Sequence, residues 1–112
     1  MRQRPSGDLA LDDRGRQMAR AHEYGMAYAD LDRMRIDERA RSLVPLDTLV
    51  EHGLVPVKLV NRTIYVASFN PGARDGLSLI AELTGLRVVP VLALEEAVKQ
   101  TLAHWSEANK NP

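Results

Sequence analysis

Two runs rich in β-branched residues, 54–60 and 63–69, stand only two residues apart, across Asn61-Arg62. That is the spacing of a tight antiparallel hairpin. Asn61 tolerates the positive φ that such a turn needs, whereas Arg62 stands where glycine is usual. Asn70-Pro71-Gly72 then breaks the second strand, and Asp75 is placed to cap a helix with Leu77, Ile80, Ala81 and Leu83 inward and Gly85 as its stop. Residues 86–92 read as a third strand. Pro90 inside it has no N–H to give to a ladder, so this strand belongs at an edge or at a bulge. Residues 95–105 form a closing helix with Glu95 and Glu96 in its first turn and Leu94, Val98, Leu102 and Trp105 spaced for burial.

Helical signals precede the hairpin. Asp12 or Asp13 caps a first helix with Leu11, Met18, Ala19, Ala21 and Met26 roughly on one side, and Gly25 ends it. Residues 27–31 form a short extended stretch, with Tyr28 facing one way and Ala27, Ala29 and Leu31 the other. A short helix follows over 37–43, with Asp37 as cap and Ala40 and Leu43 inward. Another spans 45–53, with Pro45 in its first turn, Leu46, Leu49 and Val50 on one face, and Gly53 past its end. The order α-α-α-β-β-α-β-α implies an α+β fold: a small three-stranded sheet with N-terminal helices and a β-α-β-α C-terminal half packed on it. The β-α-β crossover makes strands 63–69 and 86–92 parallel. The domain is expected over 11–105, between a flexible lead-in at 1–10 and a flexible tail at 106–112.

The chain of 112 residues is long enough for one core and too short for two. Fifteen basic and fifteen acidic residues cancel, so no net field draws in nucleic acid or an anionic membrane surface. Nine of the basic residues, all arginine, lie in the first 41 positions among eight acidic ones. Cysteine is absent, which excludes disulfides and thiolate metal sites and suits a reducing compartment. No stretch approaches the roughly 20 apolar residues of a membrane span, and no signal peptide opens the chain, so a cytoplasmic location without membrane insertion is expected.

Three stretches carry a family likeness. YADLDRMRIDERARSLVP (28–45) has an aromatic-x-Asp-Leu element leading into a short helix closed by Val-Pro. HGLVPVKLVNRTIYVASFNP (52–71) sets a Val-Pro strand and a Tyr-Val-Ala strand about a polar turn and ends in Asn-Pro. LTGLRVVPVLALEEAV (83–98) joins a helix ending in Thr-Gly, a Val-x-Pro-Val strand and an acid-led helix. Over residues 16–104 the chain resembles the N-terminal domain of bacterial type II secretion and type IV pilus assembly ATPases. The resemblance implies a module ahead of a hexameric motor, docking on membrane-assembly proteins and, in one branch, binding cyclic di-GMP. That branch carries Arg-Leu-Gly-x-x-Leu and then Val-x-x-Gly ahead of the first helix. Here Arg2-Gln3-Arg4-Pro5-Ser6-Gly7-Asp8-Leu9 keeps arginines, a glycine and a leucine but not their spacing, so those ligand-binding residues do not transfer. No Gly-x-x-x-x-Gly-Lys-Ser/Thr phosphate loop is present, and the motor is not in this chain.

Catalytic constellations are missing from the sequence. His22, His52 and His104 are isolated and fit helix surfaces better than a metal site. Asp30, Asp32, Asp37 and Glu38 lack the glycine and terminal glutamate of a Ca²⁺ loop and are interleaved with Arg33, Arg35 and Arg39, which favours local ion pairs. Ser6, Ser42, Ser68, Ser78 and Ser106 have no nucleophile-elbow context. Met18, Met26 and Met34, eight apart each time, suit core filling better than a binding surface. The arginines at 14, 16, 20, 33, 35, 39 and 41 are the strongest site candidates, since guanidinium groups take phosphates bidentately and stack on purines. A solvated, mutually paired helical face is the favoured reading of them; a polar rim about an exposed apolar docking patch is a third.

The sequence therefore points to a non-enzymatic regulatory or protein-interaction domain with no cofactor and no metal. Its contact surface is expected to draw on Arg14, Arg16, Arg20, Arg33, Arg35 and Arg39. The expected partner is a protein, a secretion or pilus platform component or the motor ATPase, met in the cytoplasm or at the inner-membrane assembly. The alternative is an effector domain binding cyclic di-GMP through Arg16 and Arg20.

Overall fold

The hairpin forms in the computed structural model, which describes residues 12–110. In chain order the elements are α1 (Asp13–Glu23), α2 (Glu38–Arg41), α3 (Leu46–His52), β1 (Val55–Val60), β2 (Thr63–Ser68), α4 (Arg74–Thr84), β3 (Arg87–Leu92) and α5 (Glu95–Lys110). β1 and β2 are antiparallel across the two-residue turn, and β3 runs parallel to β2 after the α4 crossover, giving the order β1-β2-β3. Asn61 takes φ of 54° and is alone among the described non-glycine residues in a positive value, so Arg62 escapes the strain that a turn with two left-handed positions would impose. The register slips between Pro56 and Lys58, leaving Val57 as the extra residue of a bulge.

The register also sorts the side chains. Ile64, Val66 and Ser68 of β2 share a face with Leu92 of β3 and Pro56 of β1, and all five are buried. On the opposite face Ala67, Val91 and Val55 are buried at one end, but Tyr65 and Val89 are half-exposed and Val60 is 39 % exposed at the hairpin end. One contiguous apolar cluster joins the sheet to Leu49, Leu54, Ile80, Val98, Leu102 and Trp105. Each such side chain contributes about 1.5–3 kcal/mol on burial, against about 0–1 kcal/mol for an exposed ion pair, so this core carries the fold.

Both edges of the sheet are closed. On β1, Val57 C=O accepts from Asp37 N–H (2.9 Å), Leu59 N–H donates to Asp37 Oδ2 (3.3 Å), and Leu59 C=O accepts from Arg39 Nη2 (3.2 Å). On β3, Leu92 C=O accepts from Ala29 N–H (2.7 Å) and Leu92 N–H donates to Ala27 C=O (2.8 Å), forming a parallel bridge at Tyr28. The extended stretch expected over 27–31 thus becomes a fragment of a fourth strand. Pro90, two residues before Leu92 and so facing the same edge, offers no N–H there, as expected of an edge strand.

Several local expectations are corrected. Met18 is 49 % exposed, because α1 presents the i, i+4 pair Gln17 and Ala21 to the rest of the domain and Met18 lies about 100° round the helix. Leu43 is exposed and Val44 buried, since α2 is a single turn and its helical phase ends before Leu43. In the two-turn α3 only Leu49 is fully buried, and Val50 is 50 % exposed. α4 buries Gly76 and Ile80, leaving Leu83 at the margin of a narrow stripe. Its N-cap is Ala73, with Asp75 in the first turn instead of at the cap. The last helix passes the expected end at Trp105 and reaches Lys110, because no glycine or proline stands before Pro112. The lead-in expected at 1–10 and the last two residues of the expected tail lie outside the described residues.

Gly76 sits where α4 approaches the α3–β1 junction. A Cβ there would meet Leu54 Cδ1 at 2.7 Å and His52 Cβ at 2.9 Å. Gly76→Ala should therefore destabilise the domain by about 1–3 kcal/mol despite alanine's better helix propensity, read as a lowered midpoint in urea unfolding; unchanged or raised stability would show that α4 does not pack there.

Candidate functional site

α1 is anchored at the end of the sheet from which β2 and β3 emerge. Asp12 caps it, its carboxylate accepting from Gly15 N–H at 2.8 Å. The anchor is Gln17, only 7 % exposed, whose Nε2 donates to Ala93 C=O at 2.6 Å and to Phe69 C=O at 3.1 Å. Its Oε1 accepts from Arg20 Nη1 at 3.1 Å. The sequence did not single Gln17 out; its one signal is the i, i+4 spacing to Ala21, which marks the inward face. A crevice opens beside it, lined by Arg16 and Arg20 from α1, Phe69 and Asn70 after β2, and Glu95 and Glu96 at the start of α5. Such crevices beyond the carboxyl ends of parallel strands are common ligand positions. The two glutamates at the start of α5 answer its helix dipole and offset the positive charge of the arginines.

The remaining arginines are distributed. Arg14 reaches from α1 to Asp30 (Nη2 to Oδ2, 3.5 Å) and Arg33 approaches the same carboxylate at 3.8 Å. Tyr28 beside them has its phenol pKa raised by burial and by the Asp30 charge, with Arg14 opposing. Arg39 forms a two-pronged pair with Asp37 (Nε to Oδ1 3.2 Å, Nη2 to Oδ2 2.9 Å) while Asp37 also caps α2 through Arg39 N–H at 2.9 Å. These bonds, together with the one from Leu59 N–H, lower the Asp37 pKa from 3.8 to about 2. Arg41 lies over the Trp105 ring, 4.5 Å from its centroid, and 3.6 Å from Glu38. Arg35 lines a groove with Met34, Val57 and Lys58 and has no acidic partner among the described residues.

Of the candidate arginines, the structure brings Arg16 and Arg20 into one crevice, gathers Arg14 and Arg33 about Asp30, and uses Arg39 and Arg41 to hold the sheet edge and the last helix. Asp13, Asp30, Asp37 and Glu38 each hold an arginine, the interleaving of signs seen in the sequence made concrete. Among the described residues no three His, Asp or Glu side chains come together to hold a metal ion, and His22 and His104 lie exposed on α1 and α5. Met34 packs against the core, whereas Met18 and Tyr24 (62 % exposed) stand on the surface of α1 and its end. No helix among the described residues is long and apolar enough to cross a membrane.

A three-stranded α+β domain with these sequence motifs is an N-terminal domain of the kind found in type II secretion and type IV pilus ATPases. Residues 24–111 match the MshEN domain, and the chain belongs to that family. Its fold is similar to that of MshE solved with cyclic di-GMP, with a TM-score of 0.74, 16% identity, and 88% of this chain covering 72% of that one. It is also similar to the N-terminal domain of XpsE in two crystal forms, at TM-scores of 0.69 and 0.65 and 17% identity. Those matches cover 88% and 93% of this chain and 70% and 79% of the XpsE chains. No curated protein matches the sequence.

Two outcomes test this description. Gln17→Ala leaves two strand-end carbonyls without their donor and should cost about 1–3 kcal/mol, with faster amide exchange confined mainly to residues 13–23; uniform exchange along the chain would show that Gln17 does not anchor α1. Because the folded pKa of Asp37 lies below its unfolded value, its ionised form contributes stability that is complete above the unfolded value of 3.8 and is lost as pH falls through about 2. The stability difference between the wild type and Asp37→Asn, which retains a capping side chain, should be constant near neutral pH and close below about pH 4; a gap unchanged at about pH 2 would remove this role.

Proposed function

We propose that this domain is a docking module, carrying out no reaction of its own, that relays assembly or regulation to a secretion or pilus motor. Membership of the MshEN family over residues 24–111 is the observation that carries this reading. The disposition of charge agrees with it. Exposed guanidinium groups at Arg16, Arg20, Arg33, Arg35 and Arg39, half-buried Arg14, and exposed apolar side chains such as Met18 and Tyr24 supply the polar and apolar contacts used at transient interfaces. Arg39 closes the β1 edge together with Asp37, whereas Arg16, Arg20 and Arg35 stand at exposed positions where charge reversal spares the apolar core. The partner in this reading is a platform component or the motor itself, encountered in the cytoplasm and at the inner-membrane assembly.

A second reading has its own observation. Arg16 and Arg20 line one crevice, two guanidinium groups able to take phosphate and stack on a purine, and the similar MshE was solved with cyclic di-GMP. Glu95 and Glu96 in the same crevice weigh against a dianionic ligand.

Capture of a platform or motor protein by the wild-type domain, lost on charge reversal at Arg16, Arg20 or Arg35, is the expected result; a full panel yielding no partner sinks the docking reading. Titration calorimetry with cyclic di-GMP at low salt separates the second: heat that disappears in Arg16→Glu/Arg20→Glu supports it, and no heat removes it.

A further inference from the structure

The half of the sheet that no helix among the described residues covers has a definite chemical character. At the hairpin end of that face, Tyr65 of β2 lies beside Val89 of β3 and Lys58 of β1, and the next pairs bring Val60 and Arg87 to the same side. Tyr65 and Val89 are half-exposed, Val60 is 39 % exposed, and Lys58 and Arg87 are exposed at the two flanks. Toward the other end the surface deepens into a groove walled by Tyr28, Arg33 and Met34. Lys58, Arg87 and the neighbouring Arg35 have no acidic partner among the described residues, and Asp30, the acid lining this groove, is held by Arg14 and Arg33. The face is thus an apolar strip with cations along both margins; Asp37 and Glu38, which share the adjoining groove with Lys58 and Arg35, are each held by another arginine.

Its geometry selects among occupants. A partner strand would need a free sheet edge, but Asp37 and Arg39 occupy that of β1, while the Tyr28 bridge and Pro90 close that of β3. The outer strands of a three-stranded sheet lie about 10 Å apart, which matches the diameter of one α-helix, about 10–12 Å. From this fit and the charge complementarity we infer that the open face of the sheet, centred on Tyr65 and Val89, receives an amphipathic helix of a partner protein whose apolar stripe is flanked by Asp and Glu. This inference rests on the docking reading and names the part of the domain that makes the contact. The acidic flanks meet Lys58 and Arg87, and the apolar stripe covers the sheet's exposed hydrocarbon.

The test uses this chain and a synthetic helical peptide of about 18 residues, five turns, with Leu at i, i+3, i+4 and i+7 and Glu on both sides of that stripe. A matched peptide carries Lys in place of Glu. In an NMR titration the Glu peptide should bind with shifts centred on Lys58, Tyr65 and Val89, and the Lys peptide should not. Lys58→Glu/Arg87→Glu, both at exposed positions, should weaken the Glu peptide by about tenfold, more at low salt, while Arg74→Glu on α4 leaves it unchanged. Equal binding of the two peptides, shifts confined to α1, no binding, or binding only to phosphatidylglycerol vesicles would each overturn the inference. The underlying reading is judged separately: if a captured platform protein is lost with Arg16→Glu/Arg20→Glu but kept with Lys58→Glu/Arg87→Glu, docking stands and this surface falls. If the wild type captures no partner yet the peptide behaves as expected, the surface stands and the docking reading falls.

Discussion

β2 is hydrogen-bonded along both sides, antiparallel to β1 and parallel to β3, and Ile64, Val66 and Ala67 along it are fully buried. A three-stranded sheet has this single interior strand, so its two outer strands must be finished by something other than more sheet. The chain ahead of the hairpin supplies both finishes. Residues 27–29 pair with Leu92 on one side, and Asp37 and Arg39 satisfy Val57 and Leu59 on the other. The Asp37–Arg39 pair would count for little as a surface ion pair, but here its members also complete the hydrogen bonding of a strand and cap α2.

The same arrangement explains how arginine is used. Charges that look alike in sequence do three jobs: closing an edge (Arg39), packing over an indole (Arg41), and lining open surface (Arg16, Arg20, Arg35). Within the third group Arg16 holds Asp13 and Arg20 donates to Gln17, while Arg35 forms no ion pair among the described residues. A docking domain gains from this division, because surface charge can change with the partner while the groups that hold the sheet remain.

Much of this is legible in the sequence. The Asn61-Arg62 spacing implied the hairpin, Pro90 implied an edge, and Asp12, Asp37, Gly53 and Gly85 marked helix ends, since each of these signals acts within a few residues of itself. The family likeness, read from motifs at 28–45, 52–71 and 83–98, agrees with the MshEN match. Burial in the short helices was less legible. α2 and α3 are too short for periodicity to fix the inward side, so Leu43, which the pattern turns inward, is exposed, and Val50 is exposed although it shares a face with Leu49. Gln17 carries no such signal, because a polar residue facing inward makes sense only once two strand-end carbonyls are there to receive it.

By itself the sequence determined the elements, their order, the parallel and antiparallel pairings and the family, because turn chemistry, β-branched runs and apolar periodicity are local properties of the chain. Only the tertiary structure decided which arginines are structural and which face solvent, that a buried Gln17 amide ties α1 to two strand-end carbonyls, and that one half-face of the sheet is left apolar between cations. These depend on groups 20 to 76 residues apart meeting in space, and no local pattern encodes where such distant groups will meet.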